Sequence, residues 1–441
     1  MAYRLFHTAW RHIPLDIRTR QSVRRCFFRL FPWLFRKHPA FDAGKPNACS
    51  DCAFDTDGEA ESDAGRQPVP LLDGAPLAST AVRLVAFYLP QFHPIPENDA
   101  WWGKGFTEWA NVVRGRPRFK GHYQPRLPGE LGFYDLRVPE IQERQVELAK
   151  LYGIGGFAFY FYWFAGKRLL ERPLRHYLRE SSLGLDFCLC WANESWTRRW
   201  DGRNKEILIR QQHSPEDDYA FIAHVSEYMR DTRYVRVEGR PLLIVYRPGL
   251  LPNPAETAER WREWCFKNGI GDIFLAYTQS FEAVHPEKYG FDAAIEFPPN
   301  NSHLPVINNK VEQLDRNFNG LIYDWRVLAA RSQSYVHPSY TRFRCVNPSW
   351  DNDARRPNDS AIYHGSSPEG YQAWLENAVK DTLMQFDKPS ERIVFINAWN
   401  EWAEGAYLEP DCKYGYAYLE ATRNALVACR SVSSDAADPA E

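Results

Sequence analysis

Eight short apolar runs punctuate the chain: Leu84 to Leu89, Gly156 to Trp163, Phe187 to Ala192, Leu242 to Tyr246, Ile273 to Tyr277, Ala293 to Phe297, Arg342 to Val346 and Ile393 to Ala398. Most are continuous, with no alternation of apolar and polar positions, as expected of strands covered on both faces in a parallel sheet. Amphipathic stretches lie between several of them: Pro139 to Tyr152, Pro215 to Arg230, Ala255 to Asn268 and Pro368 to Met384. Strand and helix alternating up to eight strands predict an α/β fold, a (β/α)8 TIM barrel. A doubly wound sheet is the competing arrangement, and it would normally carry a phosphate loop after a strand. Here Gly153, Gly155 and Gly156 precede a strand, and neither GxGxxG nor GxxxxGK[ST] occurs. Before the seventh run, residues 300 to 341 read as a long irregular insertion.

Outside this pattern the chain changes character. Residues 1–38 hold nine Lys or Arg against one Asp, interleaved with Phe27, Phe28, Phe31, Trp33 and Phe35. A basic segment with a greasy aromatic side predicts a helical extension that binds an anionic membrane surface, with docking on an acidic protein face as the alternative. Residues 39–80 turn to Asp, Glu, Ser, Gly, Ala and Pro, the signature of a disordered acidic linker. The barrel is expected over residues 81–429, followed by a small, polar, disordered tail at 430–441.

The net charge of −2 gives no global pull toward nucleic acid. No apolar run is long enough to span a bilayer, and the arginines near the start interrupt any signal peptide, so the expected location is cytoplasmic, peripheral to the inner membrane. Nine cysteines without regular spacing argue against a disulfide framework. Cys49 and Cys52 are the one pair at metal-like spacing, and no second pair follows them at zinc-ribbon distance.

Aromatic content changes the picture more. At 15% of residues, with 16 Trp and 23 Tyr, it exceeds what a core needs. In a barrel the chemistry gathers at the carboxyl ends of the strands. Those ends carry Tyr88 and His93, then Trp102, Glu108 and Trp109; Tyr162 and Trp163; Trp191, Asn193, Glu194 and Trp196; Tyr246 and Arg247; Glu296; Trp350 and Asp351; and Trp399, Asn400 and Trp402. Flat rings that stack on pyranose faces, beside carboxylates and amides that bond hydroxyls, suit an oligosaccharide or lipid-linked glycan.

Glycosidic chemistry needs one protonated and one ionised acid near the same bond. Glu401 and Glu404 are three residues apart and share a face if the segment forms a helical turn. Like charges held close raise one pKa, making an acid and a base from one residue type. The plainer reading is that both glutamates favour the first turn of a following helix. Glu296, at a buried strand end, needs a cationic partner, for which Arg247 is the candidate across the barrel mouth. Asp351-Asn352-Asp353 is an Asp-x-Asp of the kind that holds a divalent ion on a nucleotide-sugar diphosphate. No cluster has convincing metal-ligand spacing, and no cofactor is expected.

In order along the chain, FYLPQFHPIPENDAWWGKGFTEW, GGFAFYFYWF, WANESWTRRWDG, GRPLLIVYRP, PSWDNDARR and NAWNEWAEGAYLEPD resemble the WbsX-type, glycoside hydrolase family 99-like proteins of bacterial lipopolysaccharide and O-antigen biosynthesis. The resemblance runs from about Val82 to Leu426. It implies a (β/α)8 barrel and a retaining mechanism in which one glutamate deprotonates the sugar's 2-hydroxyl, so that this oxygen attacks the anomeric carbon. By that resemblance Glu401 is the 2-hydroxyl base and Glu404 the general acid and base. This chain has Ala403 where the hydrolases carry His, and Ala406 where Thr is usual. Two alternatives stand beside it: a nucleotide-sugar-dependent glycosyltransferase, which Asp351-Asn352-Asp353 would serve, and a non-catalytic glycan-binding protein, since a barrel rim of Trp can bind sugars without chemistry.

Overall fold

The computed structural model describes residues 67–198, 203–315, 317–357 and 359–430. Eight parallel strands form a ring: β1 (Arg83–Tyr88), β2 (Gly156–Phe164), β3 (Asp186–Trp191), β4 (Arg240–Val245), β5 (Phe274–Thr278), β6 (Ala293–Ile295), β7 (Arg342–Val346) and β8 (Ile393–Ile396). Neighbours in sequence pair with one another around the ring. It closes through β1, whose Val85 lies opposite Gly156 of β2 and whose Arg83 lies opposite Ile393 of β8. All eight apolar runs are therefore strands, as expected.

The outer layer is helical: α1 (Pro139–Leu151), α2 (Glu171–Arg179), α3 (Pro215–Met229), α4 (Pro254–Lys267), α5 (Trp325–Ala330), α6 (Pro368–Gln385) and α7 (Ala417–Ala428). Local chemistry sets several starts. Ser214, Asn253 and Ser367 each accept a bond from the backbone N–H three residues on, with Pro at the next position, where its missing N–H costs nothing. Between β5 and β6 a single 3-10 turn, Pro286–Tyr289, takes the place of a helix.

Side chains alternate between barrel interior and helix layer. Phe87 faces inward, its ring 5.1 Å from Phe297 and 5.7 Å from Phe395. Its neighbour Tyr88 faces outward onto Phe157 and Phe159. Likewise Trp191 lies in the outer layer between Phe221 of α3 and Trp261 of α4.

Two expectations need correction. The insertion from 300 to 341 is not irregular throughout: it contains α5 and the strand Leu321–Asp324, which pairs with Ala361–His364 and, through it, with Trp350–Asp351. Phe119, Ile307, Phe318, Ile322 and Ile362 give this small sheet its own apolar cluster. The second concerns the expected linker, whose described part, residues 67–80, is seated on the barrel. Val69 bonds Tyr414 and Tyr416 through its backbone, Leu72 N donates to the Tyr152 hydroxyl at 2.9 Å, and Val69, Leu72 and Leu77 pack on the core.

The basic segment 1–38, Cys49 and Cys52, the rest of the linker to residue 66 and the tail from 431 lie outside the described residues. Among the described residues no helix is long and apolar enough to cross a membrane. Cys188, Cys190, Cys265, Cys345 and Cys429 are buried thiols.

Candidate functional site

At the carboxyl ends of the strands lies a cleft of about 680 Å³, within the size range of small-ligand sites. One wall comes from the β1 to β3 loops, with Trp102, Tyr162, Glu194 and Trp196; the other comes from the small sheet, with Tyr323, Trp350 and Tyr363. Tyr160 and Tyr246 stand on the floor beside Glu401 and Glu404.

The glutamates are presented by a compact turn. Asn400–Glu401 and Ala406–Tyr407 pair as a two-residue hairpin around the 3-10 turn Trp402–Glu404. In such a turn positions i and i+3 eclipse, so Glu401 and Glu404 point the same way. Gly405 completes it at φ +60, and a Cβ there would meet Arg126 and Asp351 at 3.0 Å. Only glycine suits both demands. Below, Asn400 clamps β1, accepting from Leu89 N at 2.7 Å and donating to Leu89 O at 3.0 Å.

Between the glutamates sits Arg355, a residue that strand-end reading passed over although it belongs to the PSWDNDARR segment. Its Nη1 lies 2.7 Å from Glu404 and its Nη2 3.3 Å from Glu401, while Glu108 takes both Nε at 2.8 Å and Nη2 at 2.7 Å. Glu108 is wholly buried, and Glu401 is 5% exposed. Burial pushes the Glu401 carboxyl up; Arg355 pulls it down, Glu404 and Glu108 push it up again, and the result is about 8. Unliganded, Glu401 is therefore mostly protonated at neutral pH, and the cleft holds an acid beside further carboxylates on one guanidinium.

The other expected site residues divide by the parity of their strands. Trp102, Tyr162, Glu194, Trp196, Tyr246 and Trp350 line the cleft. Trp196 meets Tyr162 edge to face at 5.1 Å, and Gln91 holds the Tyr162 hydroxyl at 3.0 Å. Several others brace the walls instead. Asn193 exchanges two bonds with the backbone of Arg247, and Arg247 pairs with Glu194 at 2.6 Å. Trp109 and Trp402 pack at a tilt beneath the turn, their ring centroids 5.6 Å apart, and Trp402 donates to Glu409 at 2.6 Å. Trp399 is buried against Phe157.

A third group points away. The Tyr88 hydroxyl donates to Gln145 at 2.7 Å and the Trp163 indole to Asp217 at 2.8 Å, while Trp191 fills the helix layer. His93 is buried, which lowers it to about 4 and keeps it neutral. Glu296 does not meet Arg247. Its partners are Arg344 at 2.6 Å and Arg342 at 3.4 Å, both on the adjoining strand β7, whereas Arg247 is already taken by Glu194 next to it.

The Asp-x-Asp carboxylates are engaged internally. Asp351 accepts from His122 and Gln124, each at 2.7 Å. Burial alone would raise it, but His122, Arg126 and Gln124 outweigh burial and hold it at about 2. Asp353 bonds Arg118 at 2.8 Å. Neither carboxylate lines the cleft, and among the described residues no group of three or more His, Cys, Asp or Glu forms a metal site.

Known proteins agree with this architecture. A GH99 endo-alpha-mannosidase from Bacteroides thetaiotaomicron superposes with a TM-score of 0.50 at 17% identity, covering 80% of this chain and 98% of its own. A structure described as a glycoside hydrolase-like protein gives 0.52 at 13% identity, covering 84% and 99%. At these identities the likeness concerns the fold. Two proteins named uncharacterized protein WxcX, from two strains of Xanthomonas campestris pv. campestris, are 53% identical over 394 residues. The match covers 87% of this chain and 56% of theirs, so the chain spans about half the length of these relatives. The model of the family described as Glycosyltransferase WbsX matches residues 84–422, and the chain belongs to that family.

Proposed function

We propose that the protein is a carbohydrate-active enzyme of bacterial surface-polysaccharide biosynthesis that cleaves or transfers a glycosidic bond by a retaining mechanism, with Glu401 and Glu404 as the reacting pair. The observation that carries this reading is the placement of both glutamates on one turn at the floor of an aromatic-walled cleft, joined by Arg355. A retaining reaction through the sugar's 2-hydroxyl needs a pair that holds one proton. In the first half, the ionised glutamate takes the 2-hydroxyl proton, O2 attacks the anomeric carbon, and the protonated glutamate gives its proton to the leaving oxygen. In the second half, the glutamate just emptied takes a proton from water or an acceptor hydroxyl, that oxygen bonds to the anomeric carbon as the anomeric carbon–O2 bond breaks, and the partner glutamate returns its proton to O2. The pair holds one proton at every stage, the one lost to the leaving oxygen being replaced from water or the acceptor.

The resting cleft favours that proton on Glu401. The roles implied by family resemblance, Glu401 as base and Glu404 as acid, then require the proton to pass within the pair as substrate binds. Incubating purified protein with lipid-linked surface oligosaccharide, with EDTA and without nucleotide sugar, tests the reading by mass spectrometry. Cleavage or rearrangement that disappears in Glu404→Gln supports it. Turnover undiminished in that variant would overturn it.

The family description favours a second reading, nucleotide-sugar-dependent transfer. In the same assay it requires mass gain only after nucleotide sugar and Mg²⁺ are restored. We further propose that the basic aromatic segment 1–38 holds the enzyme on the cytoplasmic face of the inner membrane, where lipid-linked glycans are within reach. Failure to sediment with anionic liposomes at physiological salt would refute this.

A further inference from the structure

Three carboxylates converge on the single guanidinium of Arg355, and they come from distant parts of the chain: Glu108 from the β1 to α1 connection, Glu401 and Glu404 from the turn after β8. With all three ionised the cluster would carry a formal charge of −2 in a site where Glu108 and Glu401 are buried. Such a group is expensive unless it keeps a proton. The bonding is unequal. Glu108 receives two of the guanidinium nitrogens, at 2.8 and 2.7 Å, and fixes the plane of the group. Nη1 is then left aimed at Glu404 at 2.7 Å, and Glu401 has only the longer contact of 3.3 Å with a nitrogen already shared.

We infer that Arg355, oriented by Glu108, is the positioning residue of the glutamate pair: it gives its direct contact to Glu404 and leaves Glu401, with the longer shared contact, as the member that keeps the pair's proton in the unliganded cleft. This rests on reading Glu401 and Glu404 as the reacting pair. The Glu108–Arg355 unit sets how many protons the pair holds as well as where the two side chains point. Burial and the two neighbouring glutamates push Glu401 up while Arg355 pulls it down, so the two halves of the unit act in opposite directions. Glu108 withdraws positive charge from the pair, and Arg355 supplies it. The other titratable groups facing the cluster are the phenols Tyr160 and Tyr162 from β2 and Tyr246 after β4, with the Glu194–Arg247 pair beyond. Burial raises all three phenols, so they stay neutral through the range in which the glutamates titrate.

The test needs no substrate. The infrared carbonyl band of protonated, buried carboxyls is followed against pH in the full chain; Glu401→Gln assigns the Glu401 component as the one it removes, while buried Glu409 supplies a second component that remains. Glu108→Gln leaves Arg355 to the pair alone and is expected to move the titration down by about one unit, tenfold in proton affinity. Glu108→Gln combined with Arg355→Met removes the buried ion pair as a unit, which protects the fold. It is expected to move the titration up by about one unit or more. Opposite shifts in the two variants support the inference. Titrations that stay with wild type in both, or that move together, overturn it, as does the absence of any component of the band that is lost in Glu401→Gln. Because no glycan enters this experiment, absence of turnover in the oligosaccharide assay would count against the enzymatic reading alone.

Discussion

Trp402 donates its indole N–H to Glu409 at 2.6 Å, and this bond separates the three glutamates of the NAWNEWAEGAYLEPD segment. Glu409 also accepts from Gln145 at 2.6 Å and Tyr134 at 3.0 Å, so it is a buried anchor beneath the turn. Glu401 and Glu404 face the cleft. The aromatics of the segment serve both halves: Trp402, stacked 3.8 Å from Tyr407, forms the partition between anchor and site.

Removing either cleft carboxyl should abolish turnover while leaving the fold intact. Glu401→Gln and Glu404→Gln keep shape and hydrogen-bonding capacity and delete the proton transfer, which is worth about 10²- to 10⁴-fold in rate. The expected result in the oligosaccharide assay is a loss of at least a hundredfold for each, with thermal unfolding close to wild type. Because Glu401 sits at about 8, the one-proton pair is depleted above that pH, and wild-type activity should decline there.

The Glu409 anchor should make stability depend on pH. Burial raises it to about 7 despite the bonds from Trp402, Gln145 and Tyr134. A carboxyl raised in the folded state binds its proton more tightly there than in the unfolded chain. Its stabilising contribution is complete below the unfolded pKa and is lost as pH rises through about 7. From the linkage relation the change is about 3 kcal/mol between pH 4.5 and alkaline pH. Thermal unfolding followed across this range should show wild type falling, and Glu409→Gln should remove a substantial part of that fall. Glu401 contributes a slope of the same sign, which remains in the variant.

How much of this was legible follows from which signals a barrel leaves in sequence. The strands stood out because their runs are apolar on both faces, and that same property hid which face was which. Tyr88, Trp163 and Trp191 looked like rim residues but turn into the helix layer. Tyr160, one position from a residue of opposite parity, stands on the floor. Counting in twos from Tyr162 to Tyr160, or from Glu194 back to Ala192, was the available signal, since all four line the cleft. Arg355 had no such signal: its partners lie 247, 46 and 49 residues away, and only the folded chain brings them together. The small sheet that forms the far wall was obscured by its short strands and the loops between them.

Asp351 offers a discriminating test between the two readings of its segment. As an internal anchor for His122 and Gln124 it should be indifferent to divalent ions, so Mn²⁺ or Mg²⁺ should leave wild-type thermal unfolding unmoved. Asp351→Asn leaves Arg126 without its buried counter-charge and His122 without its carboxylate acceptor, and such losses cost about 3 to 5 kcal/mol. Held at about 2, Asp351 contributes stability that is present above its unfolded pKa and lost as pH falls toward 2. The deficit of Asp351→Asn relative to wild type should therefore narrow in acid. A metal-induced stabilisation of wild type that vanishes in Asp351→Asn would instead favour the nucleotide-sugar reading.

Trp196 is the aromatic whose removal should affect binding more than folding. It is half-buried on the cleft wall, with Tyr162 at 5.1 Å, Phe164 at 5.7 Å and Trp101 at 5.9 Å around its ring. A sugar ring stacking on its open face would gain contact with little loss of side-chain entropy, because the neighbouring rings already fix the indole. Trp196→Ala should weaken oligosaccharide binding by about tenfold, in line with a loss of about 1.4 kcal/mol. Calorimetric titration of Glu404→Gln protein with the same glycan, with and without the Trp196→Ala change, separates this effect from turnover. Trp191→Ala is the control. That ring is buried between α3 and α4, so its loss should cost about 3 to 5 kcal/mol of stability and leave the affinity of the remaining folded protein unchanged. Equal binding losses in both variants would mean that the wall, and not the stacking face, had been damaged.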